Sequence, residues 1–225
     1  MKPSPPAPEP TKDRRPGGPG FGRLLGWMIL RPARAVEALL DDETALGKGL
    51  AVQGLLIAGY TYVVAALLFG GAGALNPSVL QLGPFQQYRL QIFYQGPLFL
   101  YATLAAAGLL QLLTRRAAPY GRVFAALGFA YSVPCLLTTL PVEAVAGSLV
   151  LTGATTREAF AAWIEGPGAL FGWAYQLLVV GWTVFLFLLT AVKLARRGGG
   201  GLIPGLAAGS AAVLAFALPV GLFIR

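Results

Sequence analysis

Five stretches of the chain, about 49–70, 92–113, 123–142, 171–192 and 202–224, are apolar and contain no Asp, Glu, Lys or Arg. At 1.5 Å of rise per residue, a helix of about 20 apolar residues crosses the hydrocarbon of a bilayer. A charge at its centre costs about 2.5–3.5 kcal/mol on insertion scales, so charge-free runs of this length suit helices in lipid. The pattern predicts an all-α membrane protein in which residues 44–225 form a five-transmembrane-helix bundle.

The pattern changes in residues 21–43. Pro32 suits the first turn of a helix, where its missing N–H has no partner in any case. Beyond it, Val36, Leu39 and Leu40 share one face, with Arg34 and Glu37 elsewhere. Together with Trp27 and its flanking arginines, this spacing predicts an N-terminal amphipathic helix lying in the cytoplasmic headgroup plane. Its candidate cytoplasmic interface is Trp27, Arg31, Arg34, Asp41 and Asp42. The acidic run Asp41 to Glu43, followed by Thr44, reads either as a capped, solvated turn that complements the dipole of the next helix or as an acidic patch for a partner.

Residues 1–20 hold seven prolines and, apart from Met1, no apolar side chain larger than Ala, which predicts a disordered tail. Pro and Gly also fill the place where the apolar region of a signal peptide would stand, so no cleaved leader is expected. Within 143–170, Thr155 and Glu158 have the spacing of a capping box, and Gly166-Pro167 ends the helix they open. That short helix is expected to turn Phe160 and Trp163 toward the membrane. The connection 71–91 is Gly-rich and then Gln-rich, and the pattern assigns it no fold.

Composition agrees with the spans: 56% of the residues are hydrophobic and 12% charged, against about 45–50% and 25% in soluble domains. The net charge of +8 does not form a basic stripe with interleaved aromatics, so nucleic acid is not an expected partner. It marks orientation instead. Lys2, Lys12, Arg14, Arg15, Arg23, Arg31, Arg34 and Lys48 precede the first span; Arg115, Arg116 and Arg122 follow the second; Lys193, Arg196 and Arg197 follow the fourth. Only Arg89, Arg157 and Arg225 fall on the other side, which places the N-terminus in the cytoplasm and the C-terminus outside.

The chain has no His, which excludes a Ser-His-Asp triad, a His-bearing zinc motif and an imidazole base. It has neither a Walker A loop nor a G-x-S-x-G elbow. No catalytic residue, metal or cofactor is expected. Glu143, Glu158 and Glu165 read as interfacial or loop carboxylates in water, with a Glu143–Glu165 pair across the outer mouth as the alternative, and the single Cys135 reads as a small buried hydrophobe.

What remains at membrane depth is neutral and polar. Gln53, Tyr60, Gln95, Tyr101, Tyr131, Ser132, Tyr175 and Gln176 are candidates either for hydrogen bonds between helices, worth about 0.6 kcal/mol each, or for the lining of a polar path. Pro134 removes one backbone hydrogen bond from the third span and is the expected kink beside that path.

The order of these features resembles the Yip1-domain family. The lead LLGWMILRPARAVEALL is followed by five spans. The stretch GRVFAALGFAYSVPCLLTTLP, residues 121–141, looks like the family's third span, with a basic entry, a Phe and an aromatic-small-x-Pro sequence from Tyr131 to Pro134. Trp173 to Lys193 and a short terminal span complete the likeness, which covers about 21–225. The resemblance implies a five-helix bundle with a cytoplasmic N-terminus. Eukaryotic relatives bind prenylated Rab GTPases through a DLYGP-type motif that has no counterpart here, and the Ala, Gly and Arg-rich composition is that of a GC-rich bacterial coding sequence. The expected function is that of a non-enzymatic inner-membrane protein that organises or assists a membrane partner complex, either an ABC-type exporter or copies of itself. The alternative is a lipid scramblase or a carrier of a neutral or lipidic substrate through a polar path near Pro134.

Overall fold

The computed structural model describes residues 18–71 and 84–224. The expectations for the tail before residue 18, for 72–83, for Arg225 and for the side chain of Gln95 lie outside the described residues. Among those described, the chain forms nine α-helices: α1 Phe21–Leu30, α2 Pro32–Asp41, α3 Ala45–Phe69, α4 Pro84–Leu113, α5 Tyr120–Leu137, α6 Thr139–Leu151, α7 Arg157–Glu165, α8 Ala169–Arg197 and α9 Leu202–Ile224. Helices α3, α4, α8 and α9 and the pair α5–α6 are each long and apolar enough to cross a membrane. The protein is an integral membrane protein with a five-span helical bundle.

Helix α5 is the centre of the bundle. Every residue from Val123 to Cys135 is buried except Tyr131, which is partly so. A helix that is apolar all round can face either lipid or protein, and here it faces protein, since α5 packs against α3, α4 and α8 as well as against α1 and α2. Its small residues let the neighbours come close. A Cβ added at Gly49 of α3 would stand 2.6 Å from Ala125 Cα, and one at Gly128 would stand 2.5 Å from Gln53 Nε2. Helices α8 and α9 pack against each other, and α9 also lies along α4.

The third span is broken, but not at Pro134. Helix α5 runs through Pro134 to Leu137, and the backbone departs from helical geometry at Thr138, with φ −125° and ψ −69°. Pro141 accounts for the position. In an unbroken helix its ring would strike the Leu137 carbonyl, whereas in the first turn of α6 its missing N–H costs nothing. Thr138 bridges the elbow, since both its N–H (3.0 Å) and its hydroxyl (2.5 Å) donate to Pro134 O. The chain then continues as helix to Leu151, so Glu143, expected in the outer connection, lies inside the span.

The lead is a helical hairpin rather than a single helix. Arg31 turns the chain between α1 and α2, with Pro32 at the start of α2 as expected. Leu24, Met28, Val36, Leu39 and Leu40 are fully buried, and the Phe21 ring meets that of Phe129 in α5 at 5.8 Å. The apolar face expected to lie in lipid is therefore spent on the bundle, where it covers the apolar entry of α5. Helix α7 forms where the sequence placed it, but its cap is Thr156 rather than Thr155. The Ala159 N–H donates to Thr156 Oγ1 at 3.1 Å. Phe160 packs against the cluster of Val64, Leu67 and Ala146, so of the two aromatics expected to face the membrane only Trp163 is exposed.

Candidate functional site

Each of the five spans contributes one aromatic ring to a continuous line across the bundle. Tyr60 of α3 meets Phe99 of α4 at 6.5 Å between ring centroids, and Phe99 meets Tyr131 of α5 at 5.0 Å. Tyr131 meets Phe216 of α9 at 4.5 Å, and Phe216 meets Phe187 of α8 at 5.4 Å. The rings are tilted against one another, which suits the quadrupoles of aromatic pairs, each worth about 0.5–1.5 kcal/mol beyond the area buried. The structure thus brings Tyr60 and Tyr131 together through Phe99, and it packs the Tyr131 ring against both Phe99 and Phe216.

Beside this line, toward α6, lies a polar cluster that the sequence reading did not assemble. Tyr131 and Cys135 at the end of α5 and Thr139 and Glu143 at the start of α6 lie on either side of the elbow and are brought together there with Tyr60 and Tyr175. The Tyr60 hydroxyl donates toward Glu143 Oε1 at 3.5 Å, the long limit of a hydrogen bond. Thr139 is a neighbour of the Tyr60 and Tyr175 hydroxyls and of the Cys135 thiol. The buried Tyr175 hydroxyl completes no hydrogen bond of ordinary geometry among the described residues. Next to the cluster, a groove of about 390 Å³ opens on the bundle surface between the elbow and α8. Its walls are apolar: Thr138, Pro141 and Val142 on one side, Phe171, Ala174 and Tyr175 on the other.

The remaining candidates are dispersed. Gln53 and Ser132 are buried, and neither side chain completes a hydrogen bond among the described residues. Gln53 lies against Gly128 at the α3–α5 contact. Tyr101 is 69% exposed on the outside of the bundle, and Gln176 is exposed on α8.

At the opposite end the candidate interface residues are mostly engaged. Lys193 of α8 pairs with Glu37, and Arg197 pairs with Asp41 through two contacts of 2.9 and 3.2 Å, so the hairpin is fastened to α8. Asp42 is buried. Its Oδ1 accepts from the Thr44 N–H and hydroxyl, both at 2.8 Å, and its Oδ2 accepts from Lys48. Burial pushes the Asp42 carboxyl up, but the bonds from Lys48 and Thr44 outweigh it and hold its pKa below the ordinary value. Asp42 is therefore the capped turn of the two readings, and it is not free for a partner. Trp27 is sandwiched between the guanidinium groups of Arg23, at 4.7 Å, and Arg34, at 4.3 Å. Arg31 and Arg34 are exposed and take part in no ion pair among the described residues.

No family model, no curated protein and no solved structure matches this chain.

Proposed function

We propose that the chain is a Yip1-like, non-enzymatic protein of the bacterial inner membrane, with its N-terminus in the cytoplasm and its C-terminus outside, that organises or assists a membrane partner complex. The observation that carries this reading is the aromatic line. All five spans contribute to it, and a bundle closed at its middle acts through its surface rather than through a channel. The charge distribution supports the orientation, since the basic residues around α1, α2, the 114–119 turn and the α8–α9 turn fall on one side. The exposed pair Arg31 and Arg34, at the tip of the clasped hairpin, is the surface offered to the partner, either an ABC-type exporter or a second copy of this chain. Cross-linking in cells at native expression, then purification in mild detergent and mass spectrometry, tests this. One membrane protein or a dimer should recur with the wild type and be lost with Arg31→Glu/Arg34→Glu. Recovery of the wild-type chain alone overturns the reading.

The carrier or scramblase reading finds its support elsewhere than at Pro134. The groove beside Tyr175 exposes an apolar cleft to lipid with a polar cluster behind it, an arrangement suited to an amphipathic substrate. Reconstitution into liposomes with a fluorescent-lipid assay checks it: transbilayer movement no faster than in empty vesicles, across several headgroups, removes it.

A further inference from the structure

Glu143 is the one carboxylate within the five spans, and it has no Lys or Arg partner among the described residues. Its one hydrogen bond among the described residues is the long one from Tyr60. A carboxylate in a membrane bundle without a counter-charge is costly and tends to mark a binding function. Around it stand three tyrosines, Tyr60, Tyr131 and Tyr175, with Thr139 and Cys135 between them. Tyr175 joins this cluster to the groove, since it lines the groove while its hydroxyl, lacking an ordinary partner, stands near Thr139 and Glu143.

We infer that the groove and the Glu143 cluster together form a binding site for a membrane-dissolved amphiphilic amine, its ammonium head against Glu143 and the tyrosine hydroxyls and its hydrocarbon chain along the groove. An ammonium supplies the N–H donors and the positive charge that Glu143 lacks, and the tyrosine hydroxyl oxygens can accept from it as well. The groove walls are almost wholly apolar, and about 390 Å³ falls within the range of small-molecule sites. No Lys or Arg lines the groove, so a headgroup that also carries a phosphate would bury an anion without a partner. The occupant is accordingly a simple amine rather than an aminophospholipid. Entry is sideways from the lipid, past Ala174 and Phe171, which are both exposed on α8.

The site deepens the carrier reading but is tested separately from it, because binding reads occupancy and the liposome assay reads movement. The full chain in nanodiscs of zwitterionic lipid is titrated with radiolabelled dodecylammonium, dodecanol or dodecyl phosphate. The amine should bind about tenfold more tightly than the alcohol, and the phosphate more weakly than either. Glu143→Gln should reduce the preference for the amine to about twofold or less while leaving dodecanol binding in place. Ala174→Phe fills the groove from an exposed position, leaves the cluster intact and should abolish binding of both. Equal binding of amine and alcohol by the wild type, an undiminished preference in Glu143→Gln, or full binding in Ala174→Phe would each overturn the site.

Discussion

Asp42 shows how much one side chain sets at the end of the bundle. It closes the turn into α3 through Thr44 and ties that turn to Lys48, whose ammonium also donates to Pro19 O at 2.9 Å. Its folded pKa is depressed, so its contribution is complete above the unfolded value of about 3.8 and is lost as pH falls through the lower folded value. Asp42→Asn should therefore unfold at a lower temperature than wild type at pH 7, and the gap should narrow as the pH approaches 3. A constant gap across that range in detergent melting curves would show that the charge is not what holds the turn. The acidic run was legible as a capped turn because Asp before a helix has few other uses. That Asp42 is buried was not legible, because it depends on Pro19 and Lys48 meeting over it. That Glu143 lies in helix rather than in the connection was not legible for a related reason. A charge ends an apolar run in any hydropathy reading, although the interval of four linking Tyr131, Cys135, Thr139 and Glu143 was present in the sequence.

At the scale of elements, small residues decide which helices touch. Gly49 of α3 sits directly on Ala125 of α5, where an added Cβ would meet backbone at 2.6 Å, while Gly47 in the same helix faces open space. Gly49→Ala should destabilise the bundle by about 1–3 kcal/mol through overpacking that a backbone cannot relieve. Gly47→Ala should be neutral or gain up to about 1 kcal/mol from helix propensity. Thermal unfolding of both variants in the same detergent makes the comparison, and equal effects would contradict the close α3–α5 contact. The spans themselves were legible from charge-free length alone, because lipid punishes every departure from it. The elbow was not, because Pro134 and Pro141 offer the same local signal. Only the register of the resumed helix shows that Pro141, in its first turn, is the one the break accommodates. The hairpin was half legible: its apolar face could be counted, but lipid and the entry of α5 are equally apolar, and periodicity does not say which one it covers.

For the whole molecule, the five crossings place α1, α2, the start of α3, the 114–119 turn and the α8–α9 turn at one end, and α6, α7 and the start of α8 at the other. The Glu37–Lys193 and Asp41–Arg197 pairs join the chain's beginning to a segment 156 residues later, which requires an even number of crossings between them. Those pairs are exposed and individually worth about 0–1 kcal/mol, so they record the topology more than they enforce it. The most direct measurement introduces single cysteines at Glu43, Glu158 and Arg196, all exposed, into a Cys135→Ala background and treats intact cells with a membrane-impermeant maleimide. Position 158 should label at once, whereas positions 43 and 196 should label only after the membrane is permeabilised. Labelling of position 43 or 196 in sealed cells, or protection of position 158, would contradict the five-span bundle with its clasped hairpin in the cytoplasm.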